Sequence, residues 1–357
     1  MALIPATILT GFLGAGKTTV LKRILTEAHG QKIAVIENEF GEENIDSDIL
    51  VSDTTEQIIQ MSNGCICCTI REDLRATLQD LAEKKRKGEL DFDRVVIETT
   101  GLADPGPVAQ TFFMDDEVAE SYLLDAILTL VDAKHAPEQL NDRQEARRQV
   151  GFADQIFISK SELVSPQDLS ALQHRLKHMN PRAPQQIVHF GEVAIQDFFD
   201  LRGFNLNAKL DIDPDFLNAE PHDHDHDHDH AHHDHGHGES CNHPSHAHGD
   251  HSGHHHHVDD DVKSFVFKSD RAFDPAKLED FLGAVVNIYG PRMLRYKGVL
   301  YMKDTERKVI FQGVHQLMGS DLGPAWAPGE TKSSKLVFIG IDLPKDILLQ
   351  GMEQALV

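Results

Sequence analysis

Through the first two-thirds of the chain, short apolar runs alternate with segments whose apolar residues recur at helical spacing. Residues 6–9, 33–36, 94–97, 126–131 and 155–158 are apolar, mostly β-branched, and bounded by turn or charged residues, so they read as strands. Residues 19–28, 73–87, 107–113, 141–150 and 166–179 read as helices. In the first of these, Val20, Leu21, Ile24 and Leu25 fall on one face. Strands alternating with helices predict a mostly parallel sheet covered on both faces. Near Pro221 the pattern stops, and it resumes after Val262. From there strands are expected at 263–267, 308–313 and 335–339, helices at 275–286 and 345–355, and a pair of strands, 293–296 and 299–302, joined through Lys297-Gly298. The expected fold is α/β, with a smaller α+β domain at the C-terminus built around a split β-α-β unit.

The interruption has a composition of its own. Seventeen histidines lie between His222 and His257, with Asp223, Asp225, Asp227 and Asp229 alternating among His222, His224, His226, His228 and His230. No lysine or arginine occurs between Asn218 and Val262. With almost nothing apolar to bury, this segment cannot offset the entropy of ordering itself, and it is expected to be a disordered insert. The expected division is a first domain at 1–217, the insert at 218–261 and a second domain at 262–357.

Chemistry enters at Gly11-Phe12-Leu13-Gly14-Ala15-Gly16-Lys17-Thr18, followed by Thr19, between the first strand and the first helix. This is G-x-x-x-x-G-K-[ST] in the strand–loop–helix context that gives it meaning. Glycines at Gly11, Gly14 and Gly16 let consecutive N–H groups turn inward on a phosphate, and the helix adds its positive end. Lys17 is placed to reach the β- and γ-phosphates, and Thr18 to ligate Mg²⁺. The fold is therefore a P-loop NTPase sheet. Strand 94–97 runs into Glu98, the Mg²⁺-side acid of such enzymes, and Gly101 follows with a backbone N–H for the γ-phosphate. Ser159-Lys160-Ser161-Glu162 occupies the place of the guanine-reading loop [N/T/S]-K-x-D. Its lysine stem would pack on the purine while the carboxylate accepts from guanine. Glu162 lengthens that arm by one methylene, which leaves the strictness of GTP over ATP open.

Gly64-Cys65-Ile66-Cys67-Cys68 puts three thiols within four residues. Thiolates suit Zn²⁺ and other late transition metals. Glu37, Glu39 and Glu42 follow the second strand and are candidate partners for that ion or for Mg²⁺. The histidine tract adds imidazoles that suit zinc, nickel, copper or cobalt, with protons competing for them near neutrality. Cys241 could add a thiolate to it.

Bulk properties narrow the partners. The net charge is −24, with ten acidic residues between Asp223 and Asp261, which argues against a nucleic-acid partner. No apolar run is long enough to span a membrane, and the N-terminus lacks the basic region of a signal peptide. Three of the four cysteines are too close together for a disulfide framework, and a cytoplasmic chain is expected.

With these motifs in order, the chain resembles the CobW-like family of P-loop GTPases, relatives of the nickel-insertion GTPases of urease and hydrogenase. The resemblance covers the whole chain and implies a GTPase with slow intrinsic turnover that acts as a GTP-dependent metallochaperone. It further implies that Cys65, Cys67 and Cys68 carry the transferable ion, zinc before cobalt or nickel. Glu98 would be the Mg²⁺-side acid, Lys160 and Glu162 the guanine readers, and the C-terminal domain the surface that docks a client metalloprotein. A homodimer is one assembly in keeping with it. Two other readings stand beside it: a metal store whose GTP binding is regulatory, and a metal-insertion factor of the cobalamin pathway.

Overall fold

The computed structural model describes residues 3–26, 30–38, 58–61, 69–201, 203–204 and 260–357. In the first part the apolar runs become β1 (Ile4–Gly11), β2 (Ile33–Asn38), β3 (Ile58–Met61), β4 (Arg94–Glu98), β5 (Tyr122–Asp132), β6 (Gln155–Ser159) and β7 (Gln185–Val188). They form one sheet in the order β3-β2-β4-β1-β5-β6-β7. Every pairing in it is parallel. Central β1 and β5 are buried almost end to end, as strands with helices on both faces must be.

The connecting helices are α1 (Lys17–Thr26), α2 (Thr69–Lys87), α3 (Pro105–Met114), α4 (Asp116–Ser121), α5 (Ala136–Asp142), α6 (Gln144–Phe152), α7 (Pro166–Met179) and the single turn α8 (Ile195–Phe198). On one face Val20, Leu21 and Ile24 of α1 pack with Val35, Leu128 and Phe157. On the other, Leu74 and Leu78 of α2, Phe112 of α3 and Val150 of α6 pack with Ile8, Ile97 and Ile127. Asp104 caps α3 through the Gly106 amide, and Ser165 caps α7 through the Asp168 amide.

The expected helix at 141–150 is instead two helices, α5 and α6, broken at Arg143, whose backbone is extended. Leu140 and Ala146, the buried residues flanking the break, are six apart, off the helical repeat, so one stripe cannot serve both. Strands β3 and β7 were absent from the expectation. Gln185 and Gln186 leave β7 with too little apolar density to stand out.

The second part is a five-stranded antiparallel sheet: β8 (Val262–Ser269), β9 (Met293–Leu300), β10 (Arg307–Val314), β11 (Leu317–Ala325) and β12 (Ser334–Ile341), in the order β11-β10-β9-β12-β8. Helices α9 (Pro275–Tyr289) and α10 (Lys345–Gln354) cover one face. β8, α9 and β9 form the split β-α-β unit, with β12 between the two strands. Lys297-Gly298 is not a turn. β9 runs straight through it, and a Cβ on Gly298 would lie 2.3 Å from the Lys335 carbonyl oxygen, so this glycine serves a close approach of backbones.

The two sheets are welded through α6. Val150 and Phe152 share a core with Val262, Leu294, Val314, Val337 and Ile339. A Cβ on Gly151 would meet Leu294 at 2.6 Å. Beside this core the buried Arg295 donates to Asp154 at 2.5 Å, and its guanidinium lies 3.6 Å from the Phe204 ring centre. Where the described chain resumes, Arg175 holds Asp260 with two hydrogen bonds and Arg147 holds Asp261.

Removing Asp154 would leave the Arg295 charge buried and uncompensated. Asp154→Ala is expected to lower the unfolding free energy by about 3–5 kcal/mol. Urea denaturation followed by circular dichroism checks this, and a loss within error of zero would mean the pair is not desolvated as the structure places it.

Candidate nucleotide and metal site

The loop after β1 is shaped by its glycines. Gly11, Gly14 and Gly16 all have positive φ (144°, 76° and 98°). A Cβ on Gly11 would lie 2.4 Å from the Leu130 carbonyl oxygen of β5, so nothing larger fits. Ala15 is buried and its amide closes the loop on the Phe12 carbonyl at 3.1 Å. Lys17 begins α1, and its Nζ donates to the Gly11 carbonyl at 2.9 Å across the mouth of the loop. Thr18 Oγ1 donates to Glu98 Oε1 at 3.1 Å. Thr19 is exposed, and a Cβ on Gly191 would meet its backbone at 3.1 Å.

Parallel register decides the acids. Glu98 sits opposite Leu9 of β1 on one side and Glu37 of β2 on the other. Glu37 therefore lies within β2, not after it, and it is 8% exposed. A hydroxyl and two carboxylates, all hard oxygen donors, stand at the sheet edge beside the P-loop, which is the donor chemistry Mg²⁺ takes.

Gly101 closes the opposite wall. A Cβ there would lie 2.6 Å from the Leu13 amide nitrogen, so the segment after β4 rests directly on the P-loop backbone. That segment is held from behind by α6. The buried Gln149 side chain donates to the Gly101 and Ala103 carbonyls at 3.1 and 3.0 Å, and Arg148 donates to Asp104 at 2.8 Å.

Just after β6, Lys160 takes the left-handed conformation (φ 56°) and its Nζ reaches Asp132 Oδ2 at 2.6 Å. Burial pushes the Asp132 carboxyl up. The hydrogen bonds from Lys160 and from the His135 ring and amide outweigh it and hold the group below the usual aspartate range. Ser159 Oγ donates to the Ala15 carbonyl at 2.7 Å, tying the end of β6 to the P-loop. Glu162 is exposed and stands 3.6 Å from His189 Nδ1.

The structure thus brings together Gly11, Gly14, Ala15, Gly16, Lys17, Thr18, Thr19, Glu37, Glu98, Gly101, Lys160 and Glu162 along one edge. It adds Asp132, Gln149, Arg148 and His189, which sequence reasoning missed. Asp132 was findable, because like Glu98 it is an acid at the end of an apolar strand. Cys65, Cys67, Cys68, Glu39, Glu42, Cys241 and the tract with His222, His224, His226, His228 and His230 lie outside the described residues. Among the described residues no group of three or more His, Cys, Asp or Glu could hold a metal ion.

Residues 5–186 match the CobW/HypB/UreG nucleotide-binding domain, and residues 262–356 match the cobalamin synthesis protein CobW C-terminal domain. The chain belongs to the CobW family. The zinc chaperone YjiA of Escherichia coli K12 is 37% identical to this CobW-family chain over 343 residues, 96% of each. The zinc chaperone CobW of a Sinorhizobium species is 29% identical, over 95% of this chain and 93% of its own. The crystal structure of the Zn(II)-bound YjiA GTPase superposes with a TM-score of 0.73 at 33% identity, covering 99% of both chains.

In this CobW-family member, Asp132→Asn would loosen Lys160 from its anchor and weaken guanine-nucleotide binding by roughly tenfold. A fluorescent GDP analogue measures it. Because the Asp132 carboxyl is held below its ordinary range, wild-type affinity should stay level from neutral pH into mild acid and fall only as pH drops through that lowered value.

Proposed function

We infer that this chain is a GTPase that binds zinc and hands it to a client metalloprotein in step with the nucleotide cycle. The observation that carries the reading is the Thr18–Glu98 contact, with Glu37 on the neighbouring rung, at the mouth of a complete P-loop. The family match and the zinc-chaperone names of full-length relatives supply the cargo.

In the reaction, water attacks the γ-phosphorus in line and the bond to the β-phosphate oxygen breaks, giving GDP and phosphate. Lys17 and the loop amides stabilise the charge that grows on the phosphate oxygens. Thr18 and Glu98, with Glu37 beside them, would hold the Mg²⁺. That ion, when bound, neutralises charge on the β- and γ-phosphates. Gly101 presents its backbone to the γ-phosphate while Gln149 fixes the segment behind it. Lys160, steadied by Asp132, packs on the guanine, and Glu162, with His189 behind it, accepts from the base.

Zinc coupling follows from the sheet. β2 ends next to Glu98, and β3 pairs with β2 up to Met61. The chain leaving those two strands carries Glu39, Glu42, Cys65, Cys67 and Cys68, the proposed cargo ligands. A ligand set attached to the edge that holds the triphosphate gives each site a means of biasing the other. The histidine tract serves as a reservoir, and the C-terminal sheet docks the client. The chain acts in the cytoplasm, and no helix among the described residues is long and apolar enough to cross a membrane.

The test is phosphate release from GTP by metal-free protein, with and without zinc. Lys17→Ala should abolish turnover. Gly101→Ala, which forces a carbon against the Leu13 amide, should lower it by roughly a hundredfold with the fold intact. Cys67→Ser should remove the response to zinc while leaving the basal rate. A zinc response unaltered by Cys67→Ser would overturn the assignment of the cargo site. Zinc binding without any turnover would favour the storage reading.

A further inference from the structure

Among the described residues, those other than glycine with positive φ are Lys160, Phe190, Asp200, Asp304, His315 and Asp342. Aspartate and histidine are enriched in that region of backbone space; lysine and phenylalanine are not. Those two follow the paired ends of neighbouring strands, since Ser159 of β6 lies opposite Val188 of β7. Lys160 is anchored on Asp132. Phe190 and Gly191 (φ 48° and 77°) are the central residues of a tight turn, closed by the Glu192 amide on the His189 carbonyl at 2.9 Å. Positive φ at both central positions is the pattern that Asn-Gly meets with least strain. Phenylalanine keeps the strain there and gains no packing. It is 81% exposed, more than any other large apolar residue among the described ones. The turn itself is fastened on three sides. His189 Nδ1 stands 3.6 Å from Glu162 Oε2, a Cβ on Gly191 would lie 3.1 Å from the Thr19 carbonyl oxygen, and Glu192 pairs with Arg23 of α1 at 2.8 Å. An exposed aromatic ring on a strained backbone is thus held between the Lys160–Glu162 loop and the first turn of the P-loop helix. Strain of this kind persists where the surroundings fix it, and it clusters at ligand clamps.

We propose that the Phe190 ring stacks on the guanine base, on the face opposite the Lys160 stem. This rests on the reading that the base lies between Lys160 and Glu162. A purine has two π faces and an edge of donors and acceptors. Glu162 takes the edge and Lys160 one face, which leaves the second face for an aromatic side chain. Stacking covers apolar surface on both rings and is indifferent to the pattern on the edge. The contact therefore adds affinity for a purine, while the choice of guanine stays with Glu162. Because the turn is fixed on both the β6 side and the α1 side before a nucleotide arrives, little freedom is lost when the base binds. The same arrangement accounts for the residue choice: an asparagine at 190 would suit the turn better but offers the base no ring.

The test is a calorimetric titration of full-length protein with GDP in the presence of Mg²⁺. Phe190→Asn removes the ring and gives the turn a residue that accepts positive φ. It should weaken GDP binding by about tenfold, while the thermal midpoint of the nucleotide-free protein stays level or rises. A ring that served the fold would lower that midpoint when removed. Phe190→Tyr, which keeps the ring, should bind GDP as the wild type does. Pyrophosphate, with neither base nor ribose, should bind the wild type and Phe190→Asn equally. Glu162→Ala is the control for the placement of the base. A loss of GDP affinity in Glu162→Ala but not in Phe190→Asn overturns the stacking and leaves the base site standing. No loss in either variant overturns the placement of the base, and the stacking with it. An equal loss for GDP and pyrophosphate in Phe190→Asn also overturns the proposal, because the turn would then act through Thr19 on the phosphate loop.

Discussion

The nucleotide site depends on one contact that leaves no room for a side chain: the backbone at Gly101 lying against the backbone at Leu13. Because residue 101 is bare, the segment after β4 rests directly on the P-loop backbone. The parallel register then does the rest. Once β4 lies between β1 and β2, Glu98 has to emerge between Leu9 and Glu37, so its carboxylate, the Thr18 hydroxyl and a second carboxylate converge without any special loop. The precision of the site comes from strand pairing and close packing rather than from flexible side chains finding one another.

Helix α6 carries that precision outward. Gln149 and Arg148 grip the segment at 101–104. Two and three residues on, Gly151 and Phe152 are buried against the second sheet, with Leu294 pressed close to Gly151. A phosphate-dependent shift of the segment would therefore be felt at the contact between the two sheets within a single helical turn. The chemical step at one end and the surface offered by the C-terminal sheet at the other are joined by one short rigid element, which is the physical requirement for coupling.

The sequence made the P-loop, Glu98 and Gly101 legible because each is a local demand: a tight turn, a strand end, a bare backbone. The alternation of strands and helices was legible for the same reason, and residues 166–179 form α7 to the residue. What escaped was non-local. Nothing near Asp132 says that its carboxylate will hold Lys160 from a neighbouring strand. Nothing near Gln149 says that it will reach back to Gly101. Lys297-Gly298 looked like a turn because glycine usually marks one. Only the β12 backbone, some forty residues on, explains why a side chain is excluded there. β7 escaped for want of apolar density, because it is an edge strand with Val188 its one buried residue.

The paired aspartates at 260 and 261 have an evolutionary consequence. Arg175 and Arg147 clamp the chain at its point of return, and Phe204, on the departing side, is stacked beneath Arg295. With both ends fastened, a change in the length of the stretch between them leaves both anchors in place. Histidine repeats can then be gained or lost by slippage during replication without disturbing either sheet. Under the reservoir reading proposed above, holding capacity could then change between lineages while the nucleotide site stays the same.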